Sequence, residues 1–229
     1  MSDQYTYHVG EKFNEDGSPR SYPGVTIICF PDPASSIYRA GEALQAELSA
    51  LPFAHKFGLL PPSSFHMTVF SLICEPRRTP EEWSSRLPLD APLSQVDQFF
   101  IDTVPLVPAP DNFRMVMTFL GGWGLSFRLS PADEETYTGL RNYRRDLSLA
   151  TGVRYPDHDA YEFHLTLAYQ IIHLNEDERR IYAELRRRRG DELRGEIGVV
   201  NTGKPVLTFF EDMTAFVAVE ERLALPSRR

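Results

Sequence analysis

Positive charge is what this chain is short of. Lys and Arg number 24 against 32 Asp and Glu, a net charge of −8, whereas proteins that grip long nucleic acid neutralise many phosphates with basic side chains. A small, locally charged ligand suits this balance better. The dense exception is Arg186-Arg187-Arg188-Arg189. It closes a segment opened by Asn175, with Glu178 three residues on, ahead of Gly190. That is the pattern of a capped helix whose last cations complement its dipole, so a helix end is expected rather than an RNA-binding patch. Cysteine is scarce as well. Cys29 and Cys74 are the only two, without C-x-x-C spacing, which argues for buried thiols in a reducing compartment over a disulfide or a zinc site. No apolar run approaches the roughly 20 residues that cross a bilayer, and Met1 to Asp16 has no apolar signal core. A cytoplasmic protein without membrane association is expected.

One nine-residue phrase is present twice: Phe65-His66-Met67-Thr68-Val69-Phe70-Ser71-Leu72-Ile73 and Phe163-His164-Leu165-Thr166-Leu167-Ala168-Tyr169-Gln170-Ile171. Each copy sets His-x-Thr inside an apolar, β-prone run. In a strand, side chains at i and i+2 share a face, so His and Thr point one way while Met67, Val69, Leu165 and Leu167 point the other. The shared leading Phe and closing Ile argue against coincidence. Two such strands facing one another converge two imidazoles and two hydroxyls on one small volume.

The repeat extends beyond the motif. A strand-like run from Val25 to Phe30 precedes a helical pattern of Ile37, Ala40, Leu44, Leu48 and Leu51. A second run, Leu125 to Leu129, leads through Ser130-Pro131, read as N-cap and first-turn proline, into a helix with Tyr137, Leu140, Leu147 and Ala150 facing inward. Val25 to His66 spans 41 positions and Leu125 to His164 spans 39, so a strand-helix-strand unit recurs at nearly constant length. Downstream, Thr79-Pro80-Glu81-Glu82 and Asn175 each read as the start of a helix. Further strands are expected at Gln98–Val104, Arg114–Leu120, Glu196–Val200, Val206–Phe210 and Thr214–Val219. Gly121-Gly122-Trp123-Gly124 reads as the turn where the chain crosses between halves.

The expected fold is α+β: two pseudo-twofold-related lobes, each a mainly antiparallel sheet with helices on its outer face, around a central groove. The chain is read as one two-lobed domain over residues 1–229. Lobe A covers about residues 22–95 and lobe B about 120–195, strands in 96–119 and 196–220 complete the sheets, and 1–21 and 221–229 are tails.

Paired His-x-Thr motifs on a duplicated α+β fold resemble the 2H phosphoesterase superfamily, which includes RNA 2′,3′-cyclic phosphodiesterases. Phe-His-Met-Thr-Val-Phe and Phe-His-Leu-Thr-Leu-Ala-Tyr look closest to an uncharacterised microbial branch of it. The resemblance is specific only at His66, Thr68, His164 and Thr166. It implies that the two histidines act as general acid and base without a metal or other cofactor, and that the threonines hold the phosphate. The residues support this unaided. Imidazole, with an unperturbed pKa near 6.5, lets one copy be neutral and the other protonated near neutral pH, which is what acid–base hydrolysis of a phosphodiester requires. The expected substrate is a small nucleotide or cyclic phosphate, such as a 2′,3′-cyclic nucleotide, or a short RNA end.

Other residues have weaker claims. Phe70 lies on the His66 face and Tyr161 precedes the second motif, so either is a candidate for stacking on a base, with core packing the bland alternative for Phe70. Asp157, His158, Asp159 and His173 flank the second motif, but their spacing matches no metal motif, and no metal ligand is assigned. His8, in a tail, and His55, near a helix end, are expected to be structural or idle. Trp83 and Trp123 fall in a short helix and a turn. Arg39 and Arg128 belong to the units that precede the motifs. A metal-dependent phosphoesterase, an inactive nucleotide-binding module of the same fold and an RNA end-joining protein stay open as alternatives.

Overall fold

Residues 4–122 and 124–224 are described by a computed structural model. Five helices and nine strands are found among them. The strands are β1 (Gly24–Cys29), β2 (Phe57–Leu59), β3 (Met67–Cys74), β4 (Arg114–Leu120), β5 (Gly124–Pro131), β6 (His164–Gln170), β7 (Val199–Asn201), β8 (Val206–Asp212) and β9 (Ala215–Ala218). The helices are α1 (Ser36–Ser49), α2 (Leu93–Thr103), α3 (Glu134–Thr151), α4 (Glu176–Ile197) and α5 (Val219–Arg222).

All strands join one antiparallel sheet in the order β7-β4-β5-β6-β3-β1-β8-β9, with β2 added to β6. Read outward from the β6–β3 seam, the two halves mirror each other: β6, β5, β4 and β7 on one side, β3, β1, β8 and β9 on the other. The seam is thin, because β3 and β6 share a single residue pair, Met67 with Leu165. Alternation follows the period of two. Met67, Val69, Leu165 and Leu167 are buried under the helices, while His66, Thr68, His164 and Thr166 are half-buried on the other face.

A matched pair of polar side chains ties the helices across this seam. Gln45 on α1 donates from Nε2 to the Leu60 and Leu167 carbonyls at 2.7 and 2.8 Å. Arg144 on α3 donates to the His158 and Val69 carbonyls at 2.7 and 2.6 Å. In each case one acceptor lies six residues before a motif histidine and the other three residues after the opposite one. Where two strands part, buried carbonyls need donors from elsewhere, and these two side chains provide them. Gly41 lets α1 approach, since a Cβ there would come within 2.9 Å of Leu167 and Phe65.

Several expectations are corrected. Gln98–Val104 is not a strand but the second half of α2 and the turn after it, and Leu93, Val96, Asp97 and Phe100 bury at helical spacing. Thr79 opens no helix; residues 75–92 form a Pro-rich loop, in which Trp83 donates to the Pro88 carbonyl at 3.0 Å and carries Arg78 on its ring. Ser130-Pro131 stays in β5, paired with β4, and Asp133 caps α3 by accepting from the Thr136 amide. The Asn175–Glu178 capping box forms, but α4 runs through Gly190 to Ile197. Gly190 is a packing glycine, whose Cβ would meet Leu120 at 3.4 Å, and the following strand starts at Val199 rather than Glu196. Gly121 and Gly122 belong to a hairpin within one half, between β4 and β5, and not to a lobe crossing; Trp123 lies outside the described residues. Three of the run's four arginines are paired on the helix surface, Arg187 with Glu184 and Arg188 and Arg189 with Glu47 and Glu192, and Arg186 stacks on Tyr182.

The N-terminal segment is not a tail. Val9, Phe13 and Tyr22 are buried in a second apolar cluster with Leu60, Ile171, Phe210 and Met213. The Thr6 amide donates to the Ile171 carbonyl and its hydroxyl to the Gln170 carbonyl. At the other end, Arg222 is buried and pairs with Asp97 at 3.4 Å.

Candidate active site

The Met67–Leu165 pair sets the register of the motifs. One step to either side, His66 lies next to Thr166 and Thr68 next to His164, all on the face opposite the helices. The two strands are neighbours in one sheet rather than opposed across a groove, so in the antiparallel register each histidine is level with the other strand's threonine. Burial holds His66 down at about 4, against the opposing pull of the Ser64 carbonyl, and the charge of His164 lowers it further.

Each ring is oriented the same way. His66 Nδ1 lies 2.7 Å from the Ser64 carbonyl and His164 Nδ1 lies 2.8 Å from the Glu162 carbonyl, two residues upstream in both cases. A carbonyl can only accept, so Nδ1 carries the proton and Nε2 is left to exchange one with a ligand. The carbonyls are aimed by 3₁₀ turns at Pro62–Ser64 and His158–Ala160, which precede the two motifs. His164 is also held below its ordinary pKa, first by burial and then by the nearby charges of Arg128 and Lys12, against the opposing pull of Glu162 and the carbonyl.

Residues around the four are less symmetric. Ser126, paired with Thr166 on β5, donates its hydroxyl to Thr166 Oγ1 at 3.3 Å. Arg128, paired with His164, bridges to Glu162 at 2.5 Å. On the other side Thr68 pairs with Ile28, and Phe216 of β9 lies 4.2 Å from the His66 ring. Tyr161 lies beside the site: its ring is 6.1 Å from that of His164, and burial pushes its phenol up to about 12. Phe70 does not. At 2% exposure it is enclosed beneath Arg144 and His158, so core packing replaces the expected substrate contact; register shifts between β1 and β3 break the strand's alternation there.

Two cavities open beside the motifs. One, of about 220 Å³, is bounded by His164, Thr166, Ser126 and Arg128 together with Lys12 and His8 from the N-terminal segment. Neither of the last two was legible as a site residue, because their segment has no periodicity to place it. A larger groove of about 970 Å³ adjoins it, lined by Tyr161 and by Arg128, Arg141, Arg144, Arg145 and Arg154. Among the described residues, no group of three or more His, Cys, Asp or Glu side chains is placed to hold a metal ion, and Asp157, His158, Asp159 and His173 form no such group.

This arrangement, two neighbouring strands that each present His and Thr on the sheet face opposite the helices, defines a class, and the comparisons with known proteins agree with it. Residues 12–124, which include the first motif, match the 2H-phosphodiest family, described as a domain of unknown function (DUF1868). The crystal structure of a conserved protein of unknown function from Agrobacterium tumefaciens, ATU0111, is similar at a TM-score of 0.87 with 29% identity, over 95% of this chain and 93% of that one. No curated protein matches the chain. The match of residues 12–124 to the 2H-phosphodiest family and the likeness of the whole fold to the Agrobacterium protein are consistent with the 2H phosphoesterase superfamily.

Proposed function

We propose that the protein is a metal-independent phosphodiesterase that hydrolyses a small phosphodiester, such as a 2′,3′-cyclic nucleotide, a related cyclic phosphate or a short RNA end. The observation that carries this reading is the pair of imidazoles whose Nδ1 atoms are both tied to backbone carbonyls. With both Nε2 atoms left for proton transfer, one ring takes the proton of the attacking water while the other protonates the departing oxygen. Thr68 and Thr166 stabilise charge on the non-bridging oxygens. Tyr161 is proposed to border the base or sugar, and the adjoining groove, where Arg128 pairs with Glu162 and Arg154 with Asp159, has the volume to hold the rest of a nucleotide. Long nucleic acid is not proposed as a partner, since Arg187, Arg188 and Arg189 already face carboxylates. A cytoplasmic setting goes with the reading, as both cysteines are free thiols; no described helix is long and apolar enough to cross a membrane.

The test is turnover of a panel of cyclic phosphates in EDTA. Hydrolysis that persists in the chelator is expected. Activity that vanishes there and returns with added divalent metal overturns the reading.

The lowered pKa values add a pH signature. Catalysis needs one ring neutral and one protonated, a state most populated between the two pKa values and falling about tenfold per pH unit above the upper one. Both lie below 6.5 in the free protein, with His66 at about 4. The profile of kcat/KM, which reports the free protein, is therefore expected to peak below pH 6.5. The profile of kcat should peak at higher pH, because a bound phosphate anion favours the imidazolium form. A kcat/KM maximum above pH 8 contradicts this assignment.

A further inference from the structure

The N-terminal segment brings to the cleft two polar groups that the proposed acid–base chemistry does not use. His8 is 3% exposed, and neither of its ring nitrogens has a hydrogen-bond partner in the protein. It is wedged between Tyr7, at 4.0 Å between ring centroids, and Tyr169, at 4.8 Å. An imidazole enclosed this far without partners is costly to keep, and an apolar residue of similar shape would serve packing alone.

Lys12 stands beside it. Its ammonium lies 5.4 Å from the ring centroids of both Tyr22 and Tyr169 and makes no ion pair among the described residues. The adjacent carboxylate, Glu11, is taken by Arg77 at 2.6 Å. Burial disfavours the ammonium, but its acidic surroundings offset that and its pKa is raised above the ordinary lysine value, so it stays a cation. A desolvated cation and an unpartnered imidazole that line one cavity with His164, Thr166, Ser126 and Arg128 call for an anion with several acceptor oxygens.

We infer that the N-terminal segment completes an anion site on the β6 side of the cleft, where Lys12 and His8 hold a phosphate group seated against Thr166 and His164. A cavity of about 220 Å³ has room for that group and one substituent. Neutral His8 supplies one N–H donor to a phosphate oxygen, and Lys12 supplies the charge. On the β3 side, Ile28 pairs with Thr68 where Ser126 pairs with Thr166 here, and Phe216 packs on His66, so the two sides differ in polarity. The inference rests on the phosphodiesterase reading only in taking the anion to be phosphate.

The experiment is calorimetric titration of the full chain with inorganic phosphate in EDTA at pH 7, a readout independent of turnover. The wild type is expected to bind, and Lys12→Met to bind about tenfold more weakly or worse, as the loss of a charge-assisted hydrogen bond implies. His8→Phe should also weaken binding, while melting at or above the wild-type temperature, since it removes unpartnered buried nitrogens. Arg187→Ala, on the surface of α4 and paired there with Glu184, should bind phosphate as the wild type does. Unchanged affinity in both Lys12→Met and His8→Phe, or a wild type that ignores millimolar phosphate, overturns the inference. A melting temperature that falls in His8→Phe with phosphate affinity intact makes His8 a packing residue and overturns its part. If no cyclic phosphate is hydrolysed yet phosphate binding depends on Lys12, the catalytic reading falls and the anion site stands.

Discussion

Replacing either motif histidine should all but silence the protein: His66→Ala and His164→Ala are each expected to lower kcat by about 10²- to 10⁴-fold, with folding intact because both rings are half-buried on the cleft face. The double variant should fall little below the worse single one. Two groups that act on one proton-transfer step behave as a unit, and removing the second after the first costs little. Steady-state hydrolysis of a cyclic phosphate by the three variants checks this. Multiplied losses in the double variant would mean that the rings act in separate steps, and wild-type turnover in either single variant would remove acid–base catalysis by that ring.

The second large effect concerns the fold. Arg144→Ala leaves the Val69 and His158 carbonyls without their donor and opens a void among Phe70, Tyr161 and Phe163, whose rings lie 4.6 to 5.7 Å from the guanidinium. Unsatisfied buried carbonyls and a side-chain cavity together are expected to cost roughly 3–5 kcal/mol, a large share of the roughly 5–15 kcal/mol typical of a domain. Gln45 fills the related position in the other half with a neutral amide. Arg144→Gln should therefore recover part of the loss, since the amide can reach at least one carbonyl. Chemical denaturation of the variants measures both. Equal stability of Arg144→Ala and wild type would show that the carbonyls find other donors. Because Arg144 also carries Tyr161 on its guanidinium at 4.6 Å, a rise in KM is expected alongside.

The motifs were legible because a period of two needs nothing beyond the chain itself: once each run is a strand, His and Thr share a face. The helix after β1 was legible for a similar reason, with Ile37, Ala40, Leu44 and Leu48 buried as their spacing predicts. What escaped depends on pairing between distant segments. Single-strand alternation could not tell that β3 and β6 lie side by side, nor that Ser126 and Arg128 pair with Thr166 and His164. The α2 residues were misread because Gln98–Val104, taken alone, has strand-like content, and only Leu93 and Val96 upstream restore the helical period. Phe70 obeyed its period locally and was turned inward by register shifts. His8 and Lys12 left no signal, since an irregular segment is held by contacts with Ile171, Gln170 and Phe210 that no local pattern announces.

The shared cleft itself is tested most directly by ¹⁵N NMR of the imidazoles during titration with a slowly hydrolysed cyclic nucleotide phosphorothioate in EDTA. The Nε2 signals of His66 and His164 should move together, saturate at one equivalent of ligand, and show one ring gaining a proton. If only one ring responds, or if the two saturate at different ligand concentrations, the histidines do not serve one phosphate and the two-imidazole mechanism is wrong.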